Sequence, residues 1–407
     1  MTKVILDISR LISRLRHATP SGVDRVEMAY ARGLLAHYGS DLDFAAVHPF
    51  GIYGRLPRTV ALAFLDEMEL SWAHKDERAT SRSLVSVARW LAALRPIRAG
   101  IGSGEVYVQV SPHHLTRAGQ MRRILAHEKA RFVCMVHDLV PIEYPEYARP
   151  GGAELHARRM ATVAELADAV IVNSAATGAS LRRWIEGQGG SVPPIHVALL
   201  GSEPVAPAFP ASSIDGRPFF LCLGTIEPRK NHLLLLHLWR RMAESLPPEA
   251  VPRLTIVGRR GWENEQILDL LDRCPALKPH VEEVNNCSDL ELAGLLRGAR
   301  ALLMPSFAEG YGMPVAEALS VGTPVIVSDI AAHREVGGEV PDYRDALDGP
   351  AWEAAILDHA GRGPLHMDQL ARLPQWHAPG WAEHITIAVN VIEDLGSGLP
   401  ITGGESF

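Results

Sequence analysis

FFLCLGTIEPRKNHLLLLHLW (219–239) decides the fold. FFLCLG (219–224) is a short, wholly apolar run. A turn follows, and a helical pattern begins around Arg229 and Lys230. The next apolar run, LTIVG (254–258), completes a βαβ unit. The same alternation continues through VEEV (281–284), ALLMPS (301–306) and PVIVSD (324–329). It is also present upstream, in VILDIS (4–9), FAAVHP (44–49), VYVQVS (106–111), FVCMVHD (132–138), AVIVNS (169–174) and IHVALLG (195–201). Short apolar, β-branched runs are strands covered on both faces, as in parallel sheets. The two series are parted by GSEPVAPAFPASSIDGRP (201–218), whose four prolines mark a linker. A chain of 407 residues also exceeds what one core usually supports. The expected fold class is therefore α/β, with two Rossmann-like, doubly wound domains facing a central cleft. Their expected bounds are 1–205 and 206–375. Residues 376–407 are expected to form a helix, with an amphipathic pattern over Trp381–Leu395 that packs back across the hinge, and then a flexible tail. Ligands in such sheets bind beyond the carboxyl ends of the strands, and clefts between domains are favoured sites.

Composition narrows the class. Hydrophobic residues make up 47% of the chain and charged residues 21%, an ordinary globular balance. No run of about 18 apolar residues exists to span a membrane, and the N-terminus lacks an apolar signal core, so a cytoplasmic location is expected. The four cysteines, Cys134, Cys222, Cys274 and Cys287, form no CxxC pair and read as free thiols. The net charge of −7 is uneven: residues 1–200 carry 24 Lys and Arg against 19 Asp and Glu, and residues 201–407 carry 16 against 28. The first half is thus the one suited to an anionic partner.

Three segments carry chemistry. PSFAEGYGMPVAEALSVGTPVIVSD (305–329) leaves a strand through Gly310 and Gly312 and enters a helix near Met313–Pro314 that stops at Gly322. A glycine-preceded helix start lets backbone N–H groups approach a phosphate. Glu309 on the loop and Glu317 in the helix can hold two parts of one ligand. A carboxylate among Ala316, Ala318 and Leu319 requires hydroxyl or amide partners. In the second segment Gly224 and Thr225 end a strand, and Arg229 and Lys230 sit at the helix end where cations are disfavoured, a penalty that a pyrophosphate would reverse. The third, IVGRRGWENEQI (256–267), carries Gly258, Arg259, Arg260 and Gly261.

Taken together, GTIEPRKN, IVGR and PSFAEGYGMPVAEA resemble the retaining GT-B glycosyltransferases of family four, including the spacing from Glu309 to Glu317. The resemblance is specific over about 219–336. It implies a C-terminal domain that binds a nucleotide sugar and an N-terminal domain that binds the acceptor. By that resemblance Arg229 and Lys230 hold the diphosphate, Glu309 the transferred sugar, Glu317 the ribose, and Gly310, Tyr311, Gly312 and Met313 line the sugar and phosphates. TPSGVDRVEMAYARGLL (19–35) resembles the family's glycine loop, with Gly22 near the phosphates, although relatives often have more glycines there. MVHDLVPIEYP (135–145) resembles the acceptor loop. There His137 either faces the reacting sugar or is a strand-end histidine bonded to backbone. Ser180 or Arg183 in NSAATGASLRRW (173–184) would touch the acceptor.

Retaining transfer needs a stabilised leaving diphosphate, and two cations can replace a metal, so no metal and no cofactor beyond the donor are expected. Glu309→Ala or Lys230→Ala is expected to abolish transfer with the fold intact. GTIEPRKN followed by REVGG resembles bacterial mannosyltransferases of surface polysaccharide assembly, which favours GDP-mannose and a saccharide or lipid-linked acceptor. Base identity would rest on loops around 259–262 and 284–288. A non-catalytic nucleotide-sugar-binding partner subunit is the alternative. A nicotinamide enzyme lacks its GxGxxG here, a phosphorylase lacks separate support, and no nucleic-acid partner is indicated. In RATSRSLVSVARWLAALRPIRAG (78–100), Leu84, Val87, Leu91 and Leu94 share a helical stripe, with Arg82, Arg89, Arg95 and Arg98 off it. This reads either as a peripheral contact with anionic lipid or as a core-packing helix.

Overall fold

The computed structural model describes residues 2–17, 20–49, 51–73, 83–97, 105–202, 210–211, 215–285 and 287–397. The chain divides into two compact units. The first comprises Met1–Glu143, Pro150–Gly201 and Gly380–Phe407, and the second Tyr144–Arg149 and Ser202–Pro379.

Seven strands build the sheet of the first unit: β1 (Val4–Asp7), β2 (Leu42–Val47), β3 (Tyr53–Arg55), β4 (Val106–Gln109), β5 (Arg131–Val136), β6 (Ala169–Val172) and β7 (Ile195–Val197). Their order is β3-β2-β1-β4-β5-β6-β7. All pairs are parallel except β3 on β2, at the edge. β1, β4 and β6 are buried along their whole length, as the apolar runs require. The order reverses between β1 and β4, so that the carboxyl ends of these strands bracket a crevice.

The second unit has six strands: β8 (Phe219–Leu223), β9 (Arg253–Val257), β10 (Val281–Val284), β11 (Ala301–Met304), β12 (Val325–Ser328) and β13 (Asp342–Arg344). The order β10-β9-β8-β11-β12-β13 is the doubly wound Rossmann arrangement, and every pair is parallel. A shared core runs from Phe220, Trp239 and Leu254 to Leu303, Ile326 and Trp352. The switch point lies between β8 and β11.

Several local expectations shift. β3 and β13 are three-residue edge strands with polar positions, and they carry no apolar run for the sequence to reveal. VILDIS ends as a strand at Asp7, because Ser9 already opens a helical turn, Ser9–Ser13. The helix Trp381–Gly396 belongs to the first unit, where it packs on the helix Gly22–Tyr38 and on β4 and β5. The chain leaves the second unit after Pro379, where the Pro379 carbonyl accepts from Ser202 N–H at 3.1 Å. The tail from 398 onward lies outside the described residues.

The stripe expected within 78–100 is also re-drawn. The helix is Leu84–Ala93, and its buried side is Val87 and Trp90 with Leu94 just beyond; Leu91 is half-buried. Trp90 donates to Glu67 at 2.8 Å and its ring lies 5.5 Å from Phe64, so the helix packs on Arg58–Ala73. Leu84 is 67% exposed and stands outside that face, while Arg82 and Arg98 fall outside the described residues.

Candidate functional site

Parallel strands send their following loops to one edge. Around the switch point of the second unit, these are the loops after β8, β9, β11 and β12. Close backbone approach sets the glycines between the first two. A Cβ on Gly258 would lie 1.8 Å from the Gly224 carbonyl oxygen, and one on Gly261 would lie 2.8 Å from that of Ile226. Gly258 is therefore needed for the loops to pack, whatever they bind. Arg259 is exposed, and Arg260 is engaged by Asp272 and Glu283 at 2.6 and 2.7 Å.

Arg229 and Lys230 do not begin the long helix. They occupy a 3₁₀ turn, Pro228–Lys230, and Asn231 in the left-handed region (φ 54°) separates them from the helix His232–Ser245. Nor are they cations awaiting an anion. Arg229 Nη1 donates to Glu309 Oε2 at 2.7 Å and to the Ala308 carbonyl at 3.0 Å, and its Nε pairs with Glu227 Oε1 at 2.6 Å. Lys230 Nζ donates to Glu309 Oε1 at 2.5 Å, and the Ser306 hydroxyl donates to the same oxygen at 2.7 Å. Two cations are thus already matched by two buried carboxylates. Burial pushes the Glu309 carboxyl up, but Arg229 and Lys230 outweigh it and hold the group well below the usual carboxylate range. Glu227 goes the other way, raised by burial in spite of Arg229 and Lys230. Glu227 was missed in the sequence; its signal is an acid two positions before Arg229 in the same turn.

The loop after β11 meets the helix Met313–Ser320 through Gly312, whose φ of 99° demands glycine. Pro314 lies in the first turn, as expected. Tyr311 is buried and Glu317 half-buried. Gly224, at φ 138°, has the Lys230 side chain where a Cβ would sit, at 3.2 Å. Thr225 is half-buried beside it. The structure therefore brings Gly224, Arg229, Lys230, Glu309 and Gly312 together. The segment Tyr144–Arg149, the end of the expected acceptor loop, also belongs to this unit. Tyr147 stacks on Phe307 (5.5 Å, 9°), and its carbonyl accepts from Trp262 Nε1 at 3.2 Å.

In the first unit, Gly22 opens the helix Gly22–Tyr38, whose start is capped from within. Ser21 accepts from Asp24 N–H at 3.4 Å, and Asp24 accepts from Ser21 N–H at 2.7 Å. Arg10 pairs with that carboxylate at 2.6 Å. His137 is bonded to backbone, its Nε2 donating to the Val110 carbonyl at 2.7 Å, which leaves Nδ1 as the acceptor. Burial lowers its pKa, which keeps the ring neutral. Arg183 donates to Ser180 at 3.1 Å on the exposed face of the helix Ala175–Gly187. Among the described residues, no group of three or more His, Cys, Asp or Glu is arranged to hold a metal ion. No helix of the described residues is long and apolar enough to cross a membrane.

Two Rossmann-like units, the second with cations and carboxylates gathered at its switch point, define the GT-B fold. A crystal structure of Anabaena Alr3699/HepE in complex with UDP-glucose shares it, with a TM-score of 0.61 at 14% identity over 98% of this chain and 100% of that one. Residues 208–339 match the family described as Glycosyl transferases group 1, a stretch that holds every site residue of the second unit after Ser202. The serotype-specific mannosyltransferase WbdA of Escherichia coli is 29% identical over 248 residues, 56% of this chain and 29% of WbdA. The O-antigen chain mannosyltransferase B of Escherichia coli is 35% identical over 141 residues, 34% of this chain and 36% of that protein. The chain thus spans about a third of the length of these curated relatives.

Proposed function

We propose that this chain is a retaining, metal-independent glycosyltransferase that moves mannose from GDP-mannose to a saccharide or lipid-linked acceptor in bacterial surface polysaccharide synthesis. The observation that carries the reading is the convergence of Arg229 and Lys230 on Glu309, beside the glycine-preceded helix start at the switch point. The similarity to the mannosyltransferases supports the choice of sugar.

The charges constrain the mechanism. Glu227 and Glu309 already balance both cations, so a diphosphate gains from them only by sharing. The start of the helix Met313–Ser320 adds the Met313 N–H, since Pro314 has none and Val315 N–H already donates to the Gly312 carbonyl at 2.9 Å. A carboxylate offers about four lone-pair sites. Glu309 uses three, on Lys230, Ser306 and Arg229, and one is left for a sugar hydroxyl. The C1–O bond to the diphosphate breaks as the acceptor hydroxyl attacks the same face of C1, and the hydroxyl proton passes to the departing phosphate oxygen. Arg229 and Lys230 stabilise the charge that builds there, doing the work a metal ion does elsewhere.

The test is incubation with GDP-mannose and a panel of mannosyl acceptors in EDTA, with the product anomer assigned by NMR. An α-linked mannoside formed at an undiminished rate is expected. A β-linked product, or loss of turnover in EDTA, defeats the corresponding part of the proposal. Binding of GDP-mannose with neither hydrolysis nor transfer would instead support a partner subunit.

A further inference from the structure

His333 has no part in the reading so far, yet its imidazole is among the least accessible polar groups of the second unit, at 0% exposure. It stands in the helix Ala331–Gly337, which follows β12 at the same sheet edge as Gly224 and Glu309. Nδ1 lies 2.9 Å from the Ser328 carbonyl oxygen, an acceptor only, so Nδ1 carries the proton and donates. Nε2 is then a lone pair, and it has no hydrogen-bond partner among the described residues. The ring edge faces the loop of the candidate site: a Cβ built on Gly312 would lie 3.2 Å from Cδ2 and 3.7 Å from Nε2. The Tyr343 hydroxyl donates to the Gly338 carbonyl at 2.7 Å, with the His333 carbonyl 3.2 Å away, which ties down the end of the helix that carries the ring. Burial lowers the pKa further than the nearby Glu309 charge raises it, so the neutral form is the one present.

A buried acceptor without a donor is a liability that folded proteins rarely keep. Its chemistry states what it lacks. Phosphate oxygens at neutral pH only accept, so they cannot satisfy Nε2. A sugar hydroxyl can. We propose that His333 Nε2 accepts a hydrogen bond from a hydroxyl of the transferred sugar, making His333 a residue that recognises the donor's sugar and not its diphosphate. This rests on the donor site proposed above.

Calorimetric titration of the full chain with GDP and with GDP-mannose tests it. His333→Phe keeps a flat ring but removes the acceptor. It is expected to weaken GDP-mannose about tenfold, the usual weight of one buried hydrogen bond, and to leave GDP unchanged. His333→Gln places an amide oxygen near the position of Nε2 and is expected to recover part of the loss. Wild-type protein labelled with ¹⁵N at histidine provides a measurement free of folding effects: the His333 Nε2 resonance is expected to move with GDP-mannose and not with GDP. An equal loss for both ligands in His333→Phe, or an unmoved resonance, overturns the inference. Failure of wild-type protein to bind either ligand overturns the donor site itself, and this inference with it.

Discussion

Glu309 and Lys230 are joined by one short bond, yet removing either partner has different consequences. Lys230→Ala leaves Glu309 paired with Arg229 and bonded to Ser306. Its cost falls on the developing phosphate charge, about 10²- to 10³-fold in turnover. Glu309→Ala removes the carboxylate between two largely buried cations, with Lys230 10% and Arg229 25% exposed at the side chain. Breaking such a pair from one side costs on the order of 3–5 kcal/mol. Both variants are expected to lose transfer, and Glu309→Ala alone is expected to unfold at clearly lower urea. Equal midpoints would show that the network carries no stability. Arg229, Lys230 and Glu309 were legible because each lies in a loop that leaves a strand at its carboxyl end. Their pairing was not, since it joins residues 79 and 80 positions apart. His333 could have been noticed only as a histidine shortly after PVIVSD, a signal no stronger than that of a core histidine.

At the scale of elements, what could be read was what repeats. Eleven strands are legible in the chain, nine of them as largely buried apolar runs while β7 and β10 are only partly buried; β3 and β13 show no such run, because an edge strand of three residues needs neither length nor apolarity. The helix Trp381–Gly396 shows the same divide. Its amphipathic pattern was plain, but its partner was set by shape: a Cβ on Gly201 would lie 2.3 Å from Trp381 N, and one on Gly33 would lie 2.6 Å from the Ile385 side chain. His384 secures the contact, with Nδ1 3.0 Å from the Leu199 carbonyl and Nε2 2.8 Å from the Tyr30 hydroxyl. His384→Ala leaves a buried phenol with no partner, which costs about 1–3 kcal/mol. The first unit is expected to lose that stability in urea with the second unaffected, as followed by hydrogen exchange on β4 and β5 against β8 and β11. A uniform loss across both sheets would show that the helix does not belong to the first unit alone.

Each unit carries buried carboxyls shifted both ways, Glu27 raised beside a lowered Asp24 in the first and Glu227 raised beside a depressed Glu309 in the second, so the whole molecule should answer pH group by group. Glu27, at 0% exposure on the helix Gly22–Tyr38, is raised to about 8 by burial and by the neighbouring charge of Asp7, which outweigh Arg10 and the Leu11 N–H at 3.3 Å. A raised folded pKa means stability that is complete below the unfolded value, near 4.5, and is lost as pH climbs through 8. Five histidines of the same unit, His113, His114, His137, His156 and His384, are lowered, chiefly by burial. Their contribution is present above their unfolded value of 6.5 and is lost as pH falls, so it masks Glu27 below that point. Between pH 7.5 and 8.5 those histidines are almost wholly neutral in both states and Glu27 dominates among them, at about half of 1.4 kcal/mol per pH unit, or roughly 0.7 kcal/mol in all. In the second unit Glu309 is depressed, and its contribution is already complete above the ordinary carboxylate range. Exchange-detected stability of β1 and β4 is expected to fall over that window, with Glu27→Gln flattening the profile. A flat wild-type profile would mean that the helix Gly22–Tyr38 holds Glu27 as the carboxylate, its burial offset by Arg10 across the turn that Asp24 caps.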